Sequence, residues 1–207
     1  MNRVELKERA KAQISGKIGK YFLTYLAYVC LATALSLTVG LIPFAGSIVA
    51  SAAAYPMMFG IIMICIAVAD GKDFKVADMF NGYYDWWGAI KTYFFVGLFT
   101  TLWMLLLIIP GIVKAYSYRL ALYIKAENKE MGALEAIRKS KEIMNGHKLE
   151  WFVLDLSFIG WILLICVTFG IAAIWVTPYM DITYANAYRK MCPKALEAEV
   201  AEEITEE

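Results

Sequence analysis

The sequence lacks the residue groups from which most metal and catalytic centres are built. Its 207 residues include one histidine, His147, and four cysteines. Cys30, Cys65 and Cys166 lie inside apolar runs, and no two cysteines have the spacing of a zinc site or a redox pair. No metalloprotease, nucleophile-elbow, phosphate-loop or dinucleotide-binding motif occurs. We therefore expect no metal and no cofactor, and we expect that the protein is not an enzyme.

A strong excess of one charge is also missing, because the formal net charge is +1. This balance gives no argument for binding nucleic acid. Apolar residues are in excess instead, at 60% of the chain, against ~45–50% in soluble domains. A soluble fold of this size could not bury so much apolar surface, so the composition predicts a membrane protein.

Long apolar runs give the predicted membrane spans. Residues 149–169 would form a helix of ~30 Å, which matches the hydrocarbon core of a bilayer. Gly170 separates this run from a return run at 171–188. The apolar run nearest the N-terminus, residues 21–42, is too long for the ~7–15 apolar residues of a cleaved signal peptide. We interpret it as a retained membrane anchor. The six predicted spans are residues 21–42, 47–69, 92–109, 112–126, 149–169 and 171–188.

An amphipathic stretch precedes each pair of spans, at residues 2–20, 70–91 and 127–148. Such helices lie in the membrane interface with their basic residues on anionic headgroups. The predicted lipid-facing residues are Lys11, Lys17, Lys139, Lys141 and Lys148. The predicted fold class is therefore all-α: a membrane bundle of six transmembrane helices in three hairpins, with amphipathic interfacial helices on its cytoplasmic side.

Charge and repetition predict the orientation and the domain plan. With both termini in the cytoplasm, eighteen of the 20 Lys and Arg residues lie on the cytoplasmic side. Three glycines, Gly16, Gly82 and Gly146, each stand five residues before an aromatic residue that opens or adjoins a span. This pattern predicts repeat units 1–69, 70–126 and 127–190 within one transmembrane domain, 1–190. Residues 191–207 are predicted to be an acidic cytoplasmic tail.

Three charged residues inside the predicted spans are the main candidates for a site. Arg119, Asp155 and Asp181 have similar predicted depths, ~9–12 Å from the cytoplasmic ends of their spans. Charges at such depth are costly unless they are paired or hydrated. They are either a binding site or a structural ion pair between Arg119 and an aspartate. We also predict helix breaks at three prolines, which in some transporters adjoin a binding site: Pro56, Pro110 and Pro178. The alternative for Pro56 and Pro178 is that their helices continue, because ordinary membrane helices tolerate proline.

Four blocks of sequence resemble one known family. They are IPGIVKAYSY (109–118), ALEAIRKSKEIMNGHK (133–148), VLDLSFIGW (153–161) and TPYMDITYANAY (177–188). Their order and spacing resemble the bacterial integral membrane family catalogued as domain of unknown function 975. The blocks are more distantly similar to the membrane domain fused to some glycerophosphodiester phosphodiesterases, but we expect no catalytic domain of that kind in this chain. The resemblance implies a helical bundle in the plasma membrane and implies no activity.

Three functions stay open on the sequence. The leading hypothesis is a non-enzymatic protein that organises or assists other envelope components and that contacts anionic phospholipid headgroups. A membrane-protein partner or a second copy of the chain is also expected. The second hypothesis is a transporter or permease for a small solute or peptide, with a site near Arg119, Asp155 and Asp181. The third is a membrane-embedded, lipid-processing enzyme that uses acidic residues, in which Asp155 would be essential.

Overall fold

The described part of the chain is entirely helical. A computed structural model describes residues 2–39 and 45–193, and within them it contains no strand. A 3₁₀ segment, Val76–Asp85, lies between the third and fourth α-helices. The α-helices are α1 Arg3–Ile14, α2 Ile18–Val39, α3 Ala45–Ala69, α4 Trp86–Leu106, α5 Ile108–Tyr118, α6 Ala121–Glu127, α7 Ala133–Ile143, α8 Lys148–Leu156, α9 Ile159–Val167 and α10 Ala173–Met191. The all-α class predicted from the sequence is confirmed for these residues.

Four helical segments of the described part are long and apolar enough to cross a membrane. They overlap the first, second, third and fifth predicted spans. The end of the first predicted span and the start of the turn after it, at residues 40–44, lie outside the described residues, as does the predicted tail from residue 194. The four segments are Ile18–Leu37, Val49–Ala69, Val76–Leu106 and Lys148–Val167.

The fourth predicted span, 112–126, is divided between α5 and α6. Ser140 of α7 inserts its hydroxyl at the division, where it donates to the Ser117 carbonyl (2.8 Å) and accepts from the Leu120 amide (3.2 Å). A side chain that enters the backbone ladder in this way interrupts a helix. The sixth predicted span overlaps α10, which is 19 residues long but is not among the four apolar segments. The count of six spans and their arrangement in hairpins stay predictions.

The predicted helix break at Pro110 is wrong in its position. Pro110 lies in the first turn of α5, where a missing amide costs little. The chain turns instead at Leu107, which is extended (φ −159°, ψ 133°). A proline at position 110 could not donate to the carbonyl of Leu106, so α4 ends at that residue.

The predicted helix breaks at Pro56 and Pro178 are also wrong, because α3 and α10 continue through them. Membrane helices tolerate proline where neighbouring groups satisfy the freed backbone. Beside Pro56, the hydroxyl of Tyr83 donates to the Ala53 carbonyl at 2.7 Å. This carbonyl lies one residue beyond that of Ala52, which loses its helical donor because proline has no amide hydrogen. The 3₁₀ segment thus supplies a donor to the proline region of α3.

The amphipathic stretches fold as shorter elements than predicted. Helix α1 begins after Asn2, whose side chain accepts from the amides of its first turn, and it ends at Ile14. Its buried residues face the ends of α3 and α10, where Gln13 donates to the Ala69 carbonyl (2.9 Å) and accepts from Asn186 (2.7 Å). The second stretch forms the 3₁₀ segment rather than an α-helix, and the third forms α7.

The three glycines of the predicted repeat do not share one conformation. Gly16 (φ 79°) and Gly146 (φ 83°) both adopt the left-handed conformation in the turns that follow α1 and α7. Gly82 instead packs against α3, where a Cβ atom would lie 1.9 Å from the Pro56 carbonyl oxygen. The first and third units therefore share a turn that the second lacks, and the threefold repeat stays a prediction.

Candidate functional site

Arg119 and Asp155 form an ion pair inside the bundle. Arg119 follows the last residue of α5, and Asp155 lies near the end of α8. Two guanidinium nitrogens contact the two carboxylate oxygens, at 2.5 and 3.0 Å, and the Tyr116 hydroxyl donates to the same carboxylate at 2.8 Å. Two parallel hydrogen bonds between charged groups fix both the distance and the plane of the pair. The pairing predicted between Arg119 and an aspartate is therefore present, and its partner is Asp155.

Aromatic rings surround the Arg119 guanidinium. Its Cζ atom lies 4.5 Å from the ring centre of Tyr184, 5.0 Å from that of Trp151 and 5.6 Å from that of Tyr116. Ring faces carry partial negative charge and attract a cation at these distances. The arginine is thus held by one carboxylate and three rings, which is an arrangement that stabilises a charge in apolar surroundings.

Asp181 lies apart from this pair and forms no ion pair with a described residue. Its carboxylate accepts a hydrogen bond from the Tyr21 hydroxyl at 2.7 Å, and that hydroxyl also lies 3.3 Å from the Cys65 sulfur. Two tyrosines, Tyr123 and Tyr179, pack against both the core around Arg119 and the core around Asp181. The three predicted residues therefore form two separate polar groups rather than one cluster.

A third charged group was missed in the sequence. Arg189 near the end of α10 donates to both carboxylate oxygens of Asp70, each at 2.5 Å, and also to Glu127. Glu127 accepts a further hydrogen bond from the Tyr188 hydroxyl. These residues stand at the ends of α3, α6 and α10, so the group joins three helix ends. Asp70 and Glu127 each follow directly after an apolar run, and this position could have indicated the group from the sequence.

A second missed contact joins Lys125 to Asp85. The ammonium lies 2.6 Å from the Asp85 carboxylate and also donates to the Lys129 carbonyl at 2.5 Å. The other carboxylate oxygen of Asp85 accepts from the Gly88 amide at 3.1 Å and caps α4. Lys125 is buried, so this aspartate serves both as a helix cap and as the counter-ion of a buried lysine.

The predicted lipid-facing lysines differ in their exposure. Lys11, Lys139 and Lys141 are exposed, whereas Lys17 and Lys148 are half-buried. Lys17 donates to the Lys72 carbonyl at 3.2 Å and lies 3.7 Å from Asp73. The exposed lysines are therefore the ones available to an external anion.

Three of the cavities between described residues lie at the surface of the bundle, and Arg119, Asp155 and Asp181 line none of these three. The largest, of about 410 Å³, is lined by Ile143, His147, Glu150, Lys190 and Met191. The second, about 200 Å³, is an apolar groove between α2 and α10. The third, about 240 Å³, is lined by α1, α9 and α10 and by Ile18 at the start of α2. Among the described residues, no group of three or more His, Cys, Asp and Glu side chains could hold a metal ion.

A comparison with protein families matches residues 95–195 to the family described as "Protein of unknown function (DUF975)". All four sequence blocks that suggested this family lie within the matched range, so the resemblance is confirmed. No curated protein and no solved structure matches the chain. Residues 95–195, which carry Arg119, Asp155 and Asp181, are the part of the protein that matches this family of unknown function.

Proposed function

We propose that the protein is a multi-pass plasma-membrane protein without enzymatic activity that organises or assists other envelope components. In this proposal the four apolar helical segments span the bilayer, and the α5–α6 pair and α10 supply two further spans. Both termini lie in the cytoplasm, because this orientation keeps basic residues on the cytoplasmic side. Helices α1 and α7 then lie at the cytoplasmic interface.

The basic outer face of α7 carries this proposal. Ala136 and Ile137 face the core, while Arg138, Lys139 and Lys141 are exposed. Near an anionic membrane surface each basic residue contributes about 1 kcal/mol of attraction. The interior charges are occupied by internal partners, as Arg119 and Asp155 are. The charges that remain available therefore point to the lipid headgroups and to proteins docked beside them.

Charge reversal on α7 tests the proposal. Full-length protein would be extracted from membranes together with its surrounding lipid in copolymer discs, and the ratio of anionic to zwitterionic phospholipid would be measured. The double variant Lys139→Glu and Lys141→Glu is expected to lower this ratio. The neutral double variant Lys139→Gln and Lys141→Gln is expected to give an intermediate value, because the effect follows charge.

Partner association would be followed in the same variants by cross-linking in intact membranes, with helical content measured by circular dichroism as the control for folding. A folded, charge-reversed protein that keeps both its lipid ratio and its cross-linked products would contradict the proposal.

A transporter is the second candidate, and the partial exposure of the central ion pair favours it. The side chains of Arg119 and Asp155 keep 27% and 26% of their exposure. Single cysteines at Arg119, Asp155 and Asp181 in a cysteine-free chain would be labelled with an impermeant thiol reagent from each side. Labelling from both sides would indicate an aqueous path and favour transport. Protection from both sides would indicate a dry structural pair.

A further inference from the structure

The groove beside α10 combines apolar walls with one charged residue. Its volume is about 240 Å³. Ile14 and Ile18 line one wall, and the remaining lining residues are Trp161, Trp175, Val176, Tyr179 and Lys11. This volume is below the ~300–1,000 Å³ of sites that enclose a whole small molecule. The groove therefore fits one elongated apolar part of a larger ligand.

Lys11 is a free cation at this groove. It is exposed, and its side chain has no hydrogen-bond or ion-pair partner in the described part of the chain. Neighbouring lysines differ from it: Lys7 donates to the Ser157 carbonyl at 3.0 Å, and Lys17 lies 3.7 Å from Asp73. A ligand that fills the groove and carries a negative charge near Lys11 would complete this site.

Two exposed tryptophans add aromatic surface to the groove. Trp161 and Trp175 keep 43% and 54% of their exposure, and the Trp161 ring lies 5.9 Å from that of Tyr179. Exposed aromatic rings offer a large apolar contact area to an acyl chain. Helix α9, which supplies Trp161, buries none of its own residues. An acyl chain would therefore supply contacts that α9 lacks.

We infer that this groove binds one anionic phospholipid, with an acyl chain between α1, α9 and α10 and the phosphate on Lys11. The inference rests on the proposed membrane location and deepens it, because it replaces a general attraction to headgroups by a single site. Such a lipid would join the interfacial helix α1 to α9, which buries none of its own residues.

Quenching of tryptophan fluorescence by brominated lipid tests this site. Full-length protein with Trp86, Trp87 and Trp103 replaced by Phe would be placed in phosphatidylcholine vesicles. Trp161 and Trp175 then report on the groove, while Trp151 is buried in the core. Brominated phosphatidylglycerol and brominated phosphatidylcholine would be titrated separately. We expect saturable quenching by phosphatidylglycerol at about one lipid per protein and weaker quenching by phosphatidylcholine.

Two variants and a matched control identify the residues. Lys11→Gln is expected to lower the preference for phosphatidylglycerol about fivefold, the change that corresponds to ~1 kcal/mol for one basic residue near an anionic lipid. Lys72→Gln removes the same charge from an exposed position in the turn after α3 and is expected to leave quenching at the groove unchanged. Ile18→Phe narrows the groove and is expected to weaken quenching by both lipids.

The outcomes separate this site from the proposed function. If Lys11→Gln and Lys72→Gln had equal effects, the single site would be overturned while general headgroup binding would stand. If the protein with Lys11 intact showed no preference for phosphatidylglycerol over phosphatidylcholine, both the single site and general binding to anionic headgroups would be overturned. If neither lipid quenched the tryptophans and a cysteine at position 18 cross-linked two chains, a second copy would be the occupant and the lipid site would be overturned.

Discussion

At the ends of α3, α6 and α10, charged side chains are paired and nearly hidden, whereas at the α4–α5 turn large apolar side chains are exposed. In the first region, the paired interior, Arg189 contacts Asp70 and Glu127 with 12% of its side chain exposed. In the second region, the apolar edge, Leu105 is 78% exposed and its neighbours up to residue 109 resemble it. Phe169, in the turn between α9 and α10, is 98% exposed.

This difference indicates what each region requires from its surroundings. A water-soluble protein rarely exposes so continuous an apolar surface, and large apolar patches mark contacts with partners or membranes. The apolar edge therefore depends on an external apolar phase, in line with the proposed bilayer. The paired interior depends on specific internal partners and should be sensitive to the loss of a single atom group.

The largest expected effect is the loss of one member of the central ion pair. Asp155→Leu leaves the Arg119 guanidinium without its carboxylate, and Arg119→Met leaves Asp155 without its cation. We expect each single variant to lower the free energy of unfolding by about 3 kcal/mol, as for a broken buried pair or an unpaired charge at membrane depth. Denaturation in detergent micelles, followed by circular dichroism, measures this change.

The double variant Arg119→Met with Asp155→Leu is the control for this prediction. An apolar pair of similar volume removes both charges, so the double variant should recover most of the lost stability. If the double variant remained as unstable as either single variant, packing rather than charge would explain the loss of stability. Interior charges would then not depend on specific partners, and this contrast with the apolar edge would be lost.

The next effect concerns the close contact between the 3₁₀ segment and α3. A Cβ atom on Gly60 would lie 1.9 Å from the Met79 carbonyl oxygen, which is part of the backbone and cannot simply rotate away. We expect Gly60→Ala to lower the free energy of unfolding by ~1–3 kcal/mol. Gly97→Ala in α4 is the matched control. Its Cβ meets nothing within 4 Å, so it should stabilise the helix by ~0.5–1 kcal/mol.

The same micelle denaturation applies to both glycine variants. Equal effects of Gly60→Ala and Gly97→Ala would mean that the segment adapts to the added methyl group. The 3₁₀ segment would then belong to the loosely packed part of the protein.

The sequence was sufficient for features that depend on long patterns. Apolar length predicted four segments that the structure contains, and the amphipathic period predicted α1 and α7. The depth of two charges predicted the pairing of Arg119 with an aspartate. Each of these signals extends over several helical turns and does not depend on which helices are neighbours.

Features that depend on a contact between distant residues could not be predicted in this way. The break between α5 and α6 depends on the hydroxyl of Ser140, twenty residues further along the chain. Asp155 and Asp181 both lie inside apolar runs, so the sequence does not show which of them pairs with Arg119. The packing of α10 places Asp181 beside Tyr21, whose hydroxyl donates to it. Prolines were misjudged because their effect depends on whether a neighbour such as Tyr83 supplies a donor nearby.

A smaller effect is expected from Asp70→Asn. This change removes the charge that Arg189 contacts at 2.5 Å but keeps one acceptor, and Glu127 still contacts the arginine. We expect a loss of about 1–2 kcal/mol in the free energy of unfolding. Asp73→Asn is the control, because Asp73 pairs with Lys20 at an exposed position and its loss should matter far less. Equal losses of unfolding free energy in Asp70→Asn and Asp73→Asn would show that burial of the Arg189 group does not strengthen its contribution to stability.

The smallest effect is a change in thiol reactivity at the edge of the paired interior. Burial, together with the nearby Glu127 carboxylate, raises the pKa of the Cys192 thiol to about 11. The thiolate is the reacting form, so alkylation at pH 8 should be slow and should accelerate about tenfold per pH unit until the pH nears that pKa. The rate would be measured in a chain whose other three cysteines are replaced by serine. Glu127→Gln removes the charge that disfavours the thiolate and should shift the profile to lower pH. A profile that stayed centred near the ordinary thiol pKa of ~8.5 would place Cys192 in water and would detach the end of α10 from the paired interior.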